Sequence, residues 1–389
     1  MTVSEIAFAL IRAVICENSS DILYIKEELN EEVYKELYAL SCKHDIAPII
    51  ARALTQTGFS SGGEISKKFG DQTVKAMYRD ASTVYASKQA ASALETAGIP
   101  YILLKGAVMK KYYPHSWMRT SCDVDVLIPE ELTELASKAF TDIGFTRAED
   151  KSAHDHNFIA PNKAHIELHY TLTQDGEVAS ADDILTSVWD KYSACASEGS
   201  CRRDMTDELF FVYHMAHMGR HLLCGGTGIR SFIDLWLMRK NMPCDEKKLF
   251  AMLEEAGLLP LYRSCVSLCE VWFEGKAHDG ATKLLEEYVL CGGVYGTVEN
   301  AASVKAATGV SKARSFLNVM FLTRENLCVI YPNLKKHPIL LPFYQVKRWF
   351  GIFDKKRRAR VTRIMDARAS VTDDSAELTG KLLQSLGLK

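Results

Sequence analysis

At 389 residues the chain has length for two or three domains and a sizeable buried core, which excludes a small stapled fold. With 47% hydrophobic and 25% charged residues and a net charge of -2, the overall balance gives no sign of a nucleic-acid or membrane-surface partner. The 11 cysteines are scattered and include no CxxC pair, so they read as reduced thiols of a cytoplasmic protein rather than a disulfide framework or a zinc knuckle.

The opening stretch, MTVSEIAFALIRAVICENSS, carries Glu5 and Arg12 inside its apolar run with no basic segment before it. That pattern argues against a secretory signal, and no window reaches the 18 or so uninterrupted apolar residues of a membrane span. Residues 1–98 read as helices, with Ile6, Leu10 and Val14, then Val33, Leu37 and Leu40, at helical spacing. The last of these helices runs from about Ser66 to Thr96 and stops at Ala97-Gly98-Ile99-Pro100, a C-terminal glycine followed by a proline that cannot continue a helix.

Residues 99–200 change character. Tyr101 to Leu104 is a buried-strand candidate, Ala107 to Tyr113 a short helix stopped by Pro114, and a loop with Trp117 and Arg119 leads to a second strand at Asp123 to Ile128. A helix follows from Pro129-Glu130 to Gly144, then short extended pieces at about 145–147, 157–160 and 164–172, the last two joined by a tight turn at Pro161-Asn162-Lys163. From Ile184 the pattern returns to helix, including Asp207–Leu223, Ile229–Met238, Glu246–Glu255, Leu258–Phe273, Thr282–Leu290 and about Ser311 to Ile330. The expectation is an α+β fold: a small mixed-sheet core at 99–200, flanked by helical regions at 1–98 and 201–389.

The chemistry concentrates on DVDVLI. Period-2 geometry puts Asp123 and Asp125 on one face of their strand, about 6 to 7 Å apart, and two negative charges so placed call for a cation. Glu167, in AHIELHY, is a third carboxylate on a strand-patterned segment. Three converging carboxylates suit Mg2+ or Mn2+, which prefer oxygen ligands, and two such ions can hold the attacking and leaving oxygens of an in-line displacement. His169 shares the face of Glu167 and is placed to support it or to touch substrate.

His214, His217 and His221 share one helix face, but with no acidic or cysteine ligand at fixed spacing they read as helix histidines bonded to carbonyl or carboxylate groups. Arg230 and Asp234 stand at i, i+4, open to pairing with each other or to contacting a nucleotide or acceptor. The basic run Lys355-Lys356-Arg357-Arg358-Ala359-Arg360 reads as a solvated helix face, and as the place to look if the acceptor were RNA.

LLKG at 103–106, Tyr113-Pro114, Arg119, DVDVLI, Gly144-Phe145 and ELH at 167–169 follow one another in the order seen in nucleotidyltransferases of the DNA polymerase β superfamily. The chain most resembles the bacterial group described only as uncharacterised nucleotidyltransferases. The likeness extends through Arg230 and Asp234 to Arg324–Pro332, covering most of residues 85–350. It implies a nucleotidyltransferase core in which Asp123 and Asp125 are paired metal ligands and Glu167 is either a ligand or the base toward the acceptor. It implies an NTP as substrate, two Mg2+ ions (or Mn2+), and phosphate contacts from Lys105-Gly106 and Arg119. Lys105-Gly106 stands where the superfamily usually has Gly-Ser or Gly-Gly. The implied reaction moves a nucleoside monophosphate to an acceptor with release of pyrophosphate. The near-neutral charge tilts the acceptor toward a small molecule, with tRNA or protein, or a fold that binds nucleotide without turnover, as alternatives.

Overall fold

The computed structural model describes residues 1–388 apart from 60–62, 149–153, 174–178, 312, 315–316, 318–319, 332 and 351–354, and describes 23, 325, 329, 335, 355–357 and 360 by their backbone alone. The N-terminal helices α1 (Val3–Ile15), α2 (Ile22–Glu28), α3 (Glu31–Lys43), α4 (Ala47–Gln56) and α5 (Glu64–Thr96) lead into the sheet. Helix α1 is apolar nearly all round, so it is buried rather than amphipathic, and a reciprocal Thr2–Glu5 capping box fixes its start.

A seven-stranded sheet holds β1 (Tyr101–Leu103), β2 (Asp123–Leu127), β3 (Thr146–Arg147), β4 (Asp155–Ile159), β5 (His165–His169), β6 (Ser193–Cys195) and β7 (Arg202–Met205), in the order β3-β4-β5-β2-β1-β7-β6. Strand β2 lies between β1, antiparallel, and β5, parallel, and β1 runs parallel to β7. Helix α6 (Lys105–Met109) follows β1, α7 (Thr133–Asp142) follows β2, and α8 (Asp182–Thr186) precedes β6. The turn between β4 and β5 closes with Lys163 N donating to Ala160 O at 2.8 Å, and Lys163 takes a left-handed conformation to do so.

Alternation decides which side of the sheet is core and which is site. Val124, Val126, Ile166 and Leu168 pack with Phe140, Phe158, Ala90 and Leu94 in one cluster against α5 and α7. The intervening residues Asp123, Asp125, Glu167 and His169 are thereby turned to the opposite face. That face is met by α9 (Asp207–Leu223) and α10 (Ile229–Asn241), which pack with α11 (Glu246–Glu255), α12 (Leu259–Glu274) and α13 (Gly280–Gly292). One continuous apolar cluster joins these helices to α1 and α4, where Phe8 stacks on Trp272 with ring centroids 4.4 Å apart.

The mixed α+β architecture with helices at both ends matches the sequence expectation. Three local readings differ. Helix was expected from Ile184 onward, yet β6 and β7 lie there, short and too polar to show alternation. They are held in place by Glu95 of α5, whose carboxylate accepts from Cys201 N at 2.8 Å and Ser200 Oγ at 2.7 Å. Those donors hold the Glu95 carboxyl down at about 2.

A helix at Val298–Ala307, α14, was not anticipated. The single helix expected over 311–330 is interrupted: residues 313, 314, 317 and 320 are helical, 321–323 are not, and a further helix runs Arg324–Ile330, begun by a Thr323 cap that accepts from Asn326 N. Part of that expected span lies outside the described residues. The basic run falls at the start of a helix, Lys355–Ser370, and four of its side chains lie outside the described residues. No helix among the described residues is long and apolar enough to cross a membrane.

Candidate active site

The β2–β5 pairing builds the acidic cluster. Parallel register sets Asp125 opposite Glu167 and Leu127 opposite His169, so the carboxylate of one strand and the carboxylate and imidazole of the other share a patch of sheet face. His169 Nε2 lies 3.3 Å from Asp125 Oδ1 and 3.5 Å from Glu167 Oε2. One candidate ligand atom from each of Asp125, Glu167 and His169 lies within 4.8 Å of the other two. Asp123 stands on the same face one pleat earlier and lines the same cavity as Asp125. The tightest cluster thus contains His169, with Asp123 beside it, rather than the three carboxylates alone.

Burial raises the Asp123 carboxyl, and the negative charges of Asp125 and Glu167 raise it further. Burial pushes Asp125 the same way, but Lys105 and His169 overcome it and hold that carboxyl well below the usual range. His169 loses by burial and gains more from its bonds to Asp125 and Glu167, so its pKa rises to about 9 and the ring carries a proton at neutral pH. Each of these shifts records a surplus of negative charge being balanced by the nearest available cations.

Lys105 is one of those cations. Its Nζ lies 4.0 Å from Asp125 Oδ2 and 5.9 Å from the centre of the Tyr213 ring. Burial opposes its charge, but Tyr213 and the three carboxylates outweigh that and keep it protonated. Helix α6 begins at Lys105 rather than at Ala107, and Lys105 itself takes a positive φ of 35°. Gly106 next to it leaves room for the guanidinium, since a Cβ there would come within 2.8 Å of Arg119 Nη1 and displace it.

Arg119 and Arg230 are placed differently from the sequence expectation. Arg119 is only 7% exposed and grips Asp234 with two nitrogens, Nε to Oδ1 at 2.9 Å and Nη2 to Oδ2 at 2.7 Å. The Tyr113 hydroxyl donates to the same carboxylate at 2.7 Å. Only the Nη1 end of Arg119 reaches toward Gly106 and the cavity. Arg230 does not pair with Asp234. Asp234 is turned into the core at 2% exposure, while Arg230 faces the cavity and donates to Asp45 Oδ2 at 2.6 Å and to Thr120 O at 2.7 Å.

The histidine face of α9 forms part of the same wall. His214 Nε2 meets Ser231 O at 3.0 Å, as a carbonyl-bonded helix histidine should, whereas His217 and His221 meet each other, Nε2 to Nε2, at 3.3 Å. Burial, then the Lys105 charge, lowers both, His221 to about 4, so the pair is neutral.

The cavity enclosed by these groups measures about 190 Å³. The Asp123/Asp125 patch and Lys105 lie on one side, and on the other Arg230, the histidine pair and the residues at the start of α10, Thr227 and Gly228. A larger cleft of about 940 Å³ beside α1 and α12 shares no lining residue with it and contains none of the DVD or ELH residues. Asp45, Thr120 and Tyr295, which complete the cavity or its arginine contacts, were not singled out in the sequence. Asp45 and Thr120 are loop residues among other polar residues, and Tyr295 lies in a glycine-rich turn with no motif around it, so no local pattern marks them.

Carboxylates paired on one strand, a third on its parallel neighbour, Lys105 beside them and Arg230 opposite form a surface suited to a polyphosphate carried by a hard cation. The family model described as Uncharacterised nucleotidyltransferase matches residues 30–274, more than half of the chain, and the chain belongs to that family. No curated protein and no solved structure matches it.

Proposed function

We propose that this protein transfers a nucleoside monophosphate from an NTP to an acceptor hydroxyl or phosphate, releasing pyrophosphate. The observation that carries the reading is the convergence of Asp125, Glu167 and His169 within 4.8 Å, with Asp123 on the same face and Lys105 against it. Asp123, Asp125 and Glu167 offer an oxygen-rich donor set that fits Mg2+ or Mn2+, in one or two ions, and the surplus negative charge that protonates His169 is what a divalent cation would relieve. When bound, the metal supplies charge neutralisation and orientation of the phosphates.

The chain's own residues divide the remaining work. Lys105 and the free end of Arg119 face the phosphates from the Gly106 side, and Arg230 faces them from α10, stabilising charge as it gathers on the departing group. The acceptor oxygen forms a bond to the α-phosphorus as the α–β bridging P–O bond breaks, and pyrophosphate carries off the bonding electrons. Glu167, partly exposed and nearest the open side of the cluster, takes the acceptor's proton, with His169 fixing its orientation. A small-molecule acceptor and a cytoplasmic location belong to this reading, the first supported by the chain's net charge of -2 and the second by the cysteine pattern.

One observation favours a macromolecular acceptor as a second reading. The basic helix Lys355–Ser370 packs against α14, and its Ile364 and Arg368 line a groove that shares Tyr295 with the catalytic cavity. Incubating the protein with each NTP, Mg2+ and a size-fractionated cell extract tests both. Pyrophosphate release that is lost in Asp125→Asn supports transfer, and the size of the fraction that stimulates it identifies the acceptor class. No release with any NTP and any fraction would reject the enzymatic reading.

A further inference from the structure

The cavity beside Asp123 and Asp125, about 190 Å³, has room for a run of phosphates but not for a whole nucleotide, since pockets that engulf molecules of drug size run to roughly 300–1,000 Å³. If an NTP places its phosphates there, the nucleoside has to lie at the mouth. Among the described residues that line the cavity, Tyr295 is the one phenol, and it is 81% exposed. We propose that Tyr295 is the platform on which the nucleobase of the bound NTP stacks, a subsite that rests on the nucleotidyl-transfer reading above.

Three features of the structure point to it. Tyr295 lines the same cavity as Arg230, Asp45 and Asp123, so a base on the ring lies next to the site proposed for the phosphates. Beyond the ring, a second groove of about 250 Å³, lined by Val298, Ala301 and Ile364 and by Thr297 and Lys305, shares Tyr295 and leaves room beside the ring for the base. The turn that carries the ring is built on backbone-to-backbone packing. Thr297 N donates to Gly225 O and Val294 N to Lys43 O, each at 3.2 Å. A Cβ on Gly296 would meet Gly225 C at 2.6 Å, and one on Gly226 would meet Gly292 Cα at 2.9 Å. The seam fixes the backbone from which the ring projects, so stacking has only side-chain freedom left to order.

Stacking reads a π-face rather than base edges, so the effect should be similar for all four nucleotides. The test is equilibrium binding of ATP, GTP, CTP and UTP, each with Mg2+, and of inorganic tripolyphosphate with Mg2+, to the full-length protein and its Tyr295→Ala and Tyr295→Phe variants. Tyr295→Ala is expected to weaken every NTP by about tenfold, within the range of one lost base–aromatic contact. Tyr295→Phe should stay within about twofold of the parent. Tripolyphosphate should bind all three proteins alike. Tyr295→Trp adds a direct signal, its indole emission quenched by NTPs and not by tripolyphosphate.

NTP affinity unchanged in Tyr295→Ala, or tripolyphosphate weakened as much as NTP, or no quenching in Tyr295→Trp, would each overturn the proposal while leaving the catalytic reading intact. If the parent protein binds neither NTP nor tripolyphosphate with Mg2+, the catalytic reading and this subsite fall together.

Discussion

Replacing Asp234 by asparagine removes the charge that holds Arg119 and leaves the shape of the side chain nearly unchanged. Arg119 is then a guanidinium at 7% exposure with no carboxylate against it, and the Tyr113 hydroxyl has lost its charged acceptor. Stripping one partner from a buried, bidentate pair costs about 3–5 kcal/mol, because the remaining charge stays desolvated. Tyr113→Phe removes only one hydrogen bond to a charged group, about 1.5–3 kcal/mol. In urea unfolding, Asp234→Asn should therefore lower stability distinctly more than Tyr113→Phe. The double replacement Arg119→Met with Asp234→Leu should recover much of the loss, since the uncompensated charge goes with it.

The same change reaches the site, because Arg119 Nη1 lies against Gly106 and the cavity only while Asp234 fixes the other end of the guanidinium. Asp234→Asn should then weaken Mg2+-tripolyphosphate binding as well as stability. A stability loss below about 1 kcal/mol, or a double variant no better than the single one, would refute the picture of Arg119 as a buried cation positioned by Asp234.

His169 is held protonated up to about 9. Its folded pKa is raised above the ordinary 6.5, so its contribution to stability is complete below 6.5 and fades as pH climbs through 9, a change of roughly 3 kcal/mol. Denaturant melts of metal-free protein between pH 6 and 9.5 should show that slope, and His169→Gln should flatten it. Over the same range Mn2+ affinity, followed by paramagnetic relaxation, should rise with pH, because the cation takes up negative charge that otherwise retains protons on His169 and Asp123. Glu95, held at about 2, behaves with the opposite sign: its contribution is present above the ordinary 4.5 and lost as pH falls toward 2, so acid unfolding should begin earlier in parent protein than its slope at pH 5 implies, and Glu95→Gln should remove that part of the acid transition. Gly296→Ala would push a Cβ to 2.6 Å from Gly225 C at a residue with φ of 71°, so a thermal melt should show a loss of roughly 2 kcal/mol or more, and a variant as stable as the parent would contradict the packed glycine seam.

The site was legible where its geometry is local. Alternation in DVDVLI and HIELH is enough to put Asp123 with Asp125, and Glu167 with His169, on single strand faces, because a period of two leaves no other arrangement when Val124, Val126, Ile166 and Leu168 seek the core. What brings the two strands side by side is a parallel register whose intervening helix and hairpin have no signal of their own in either strand.

Arg119 and Arg230 show the limit in another form. A helix pairs i with i+4 only when both side chains lie on its exposed face, and the core claims Asp234, so the carboxylate partner of each arginine comes from more than a hundred positions away, Asp234 for Arg119 and Asp45 for Arg230. Strands β6 and β7 were missed because they are short and polar and draw their stability from β1 and Glu95 instead of from an apolar face of their own. Tyr295 carries no sequence mark, since an exposed tyrosine in a glycine turn is ordinary until the cavity behind it is known.

The central claim is that the carboxylates of β2 and β5 serve transfer of a nucleotidyl group. Parallel reactions with α-labelled and γ-labelled NTP, Mg2+ and the stimulating extract fraction test it most directly. The account predicts that the α label becomes attached to the acceptor, that the γ label appears in pyrophosphate, and that both signals vanish in Asp125→Asn. Transfer of the γ label to the acceptor, or α-label transfer that survives in Asp125→Asn, would contradict it.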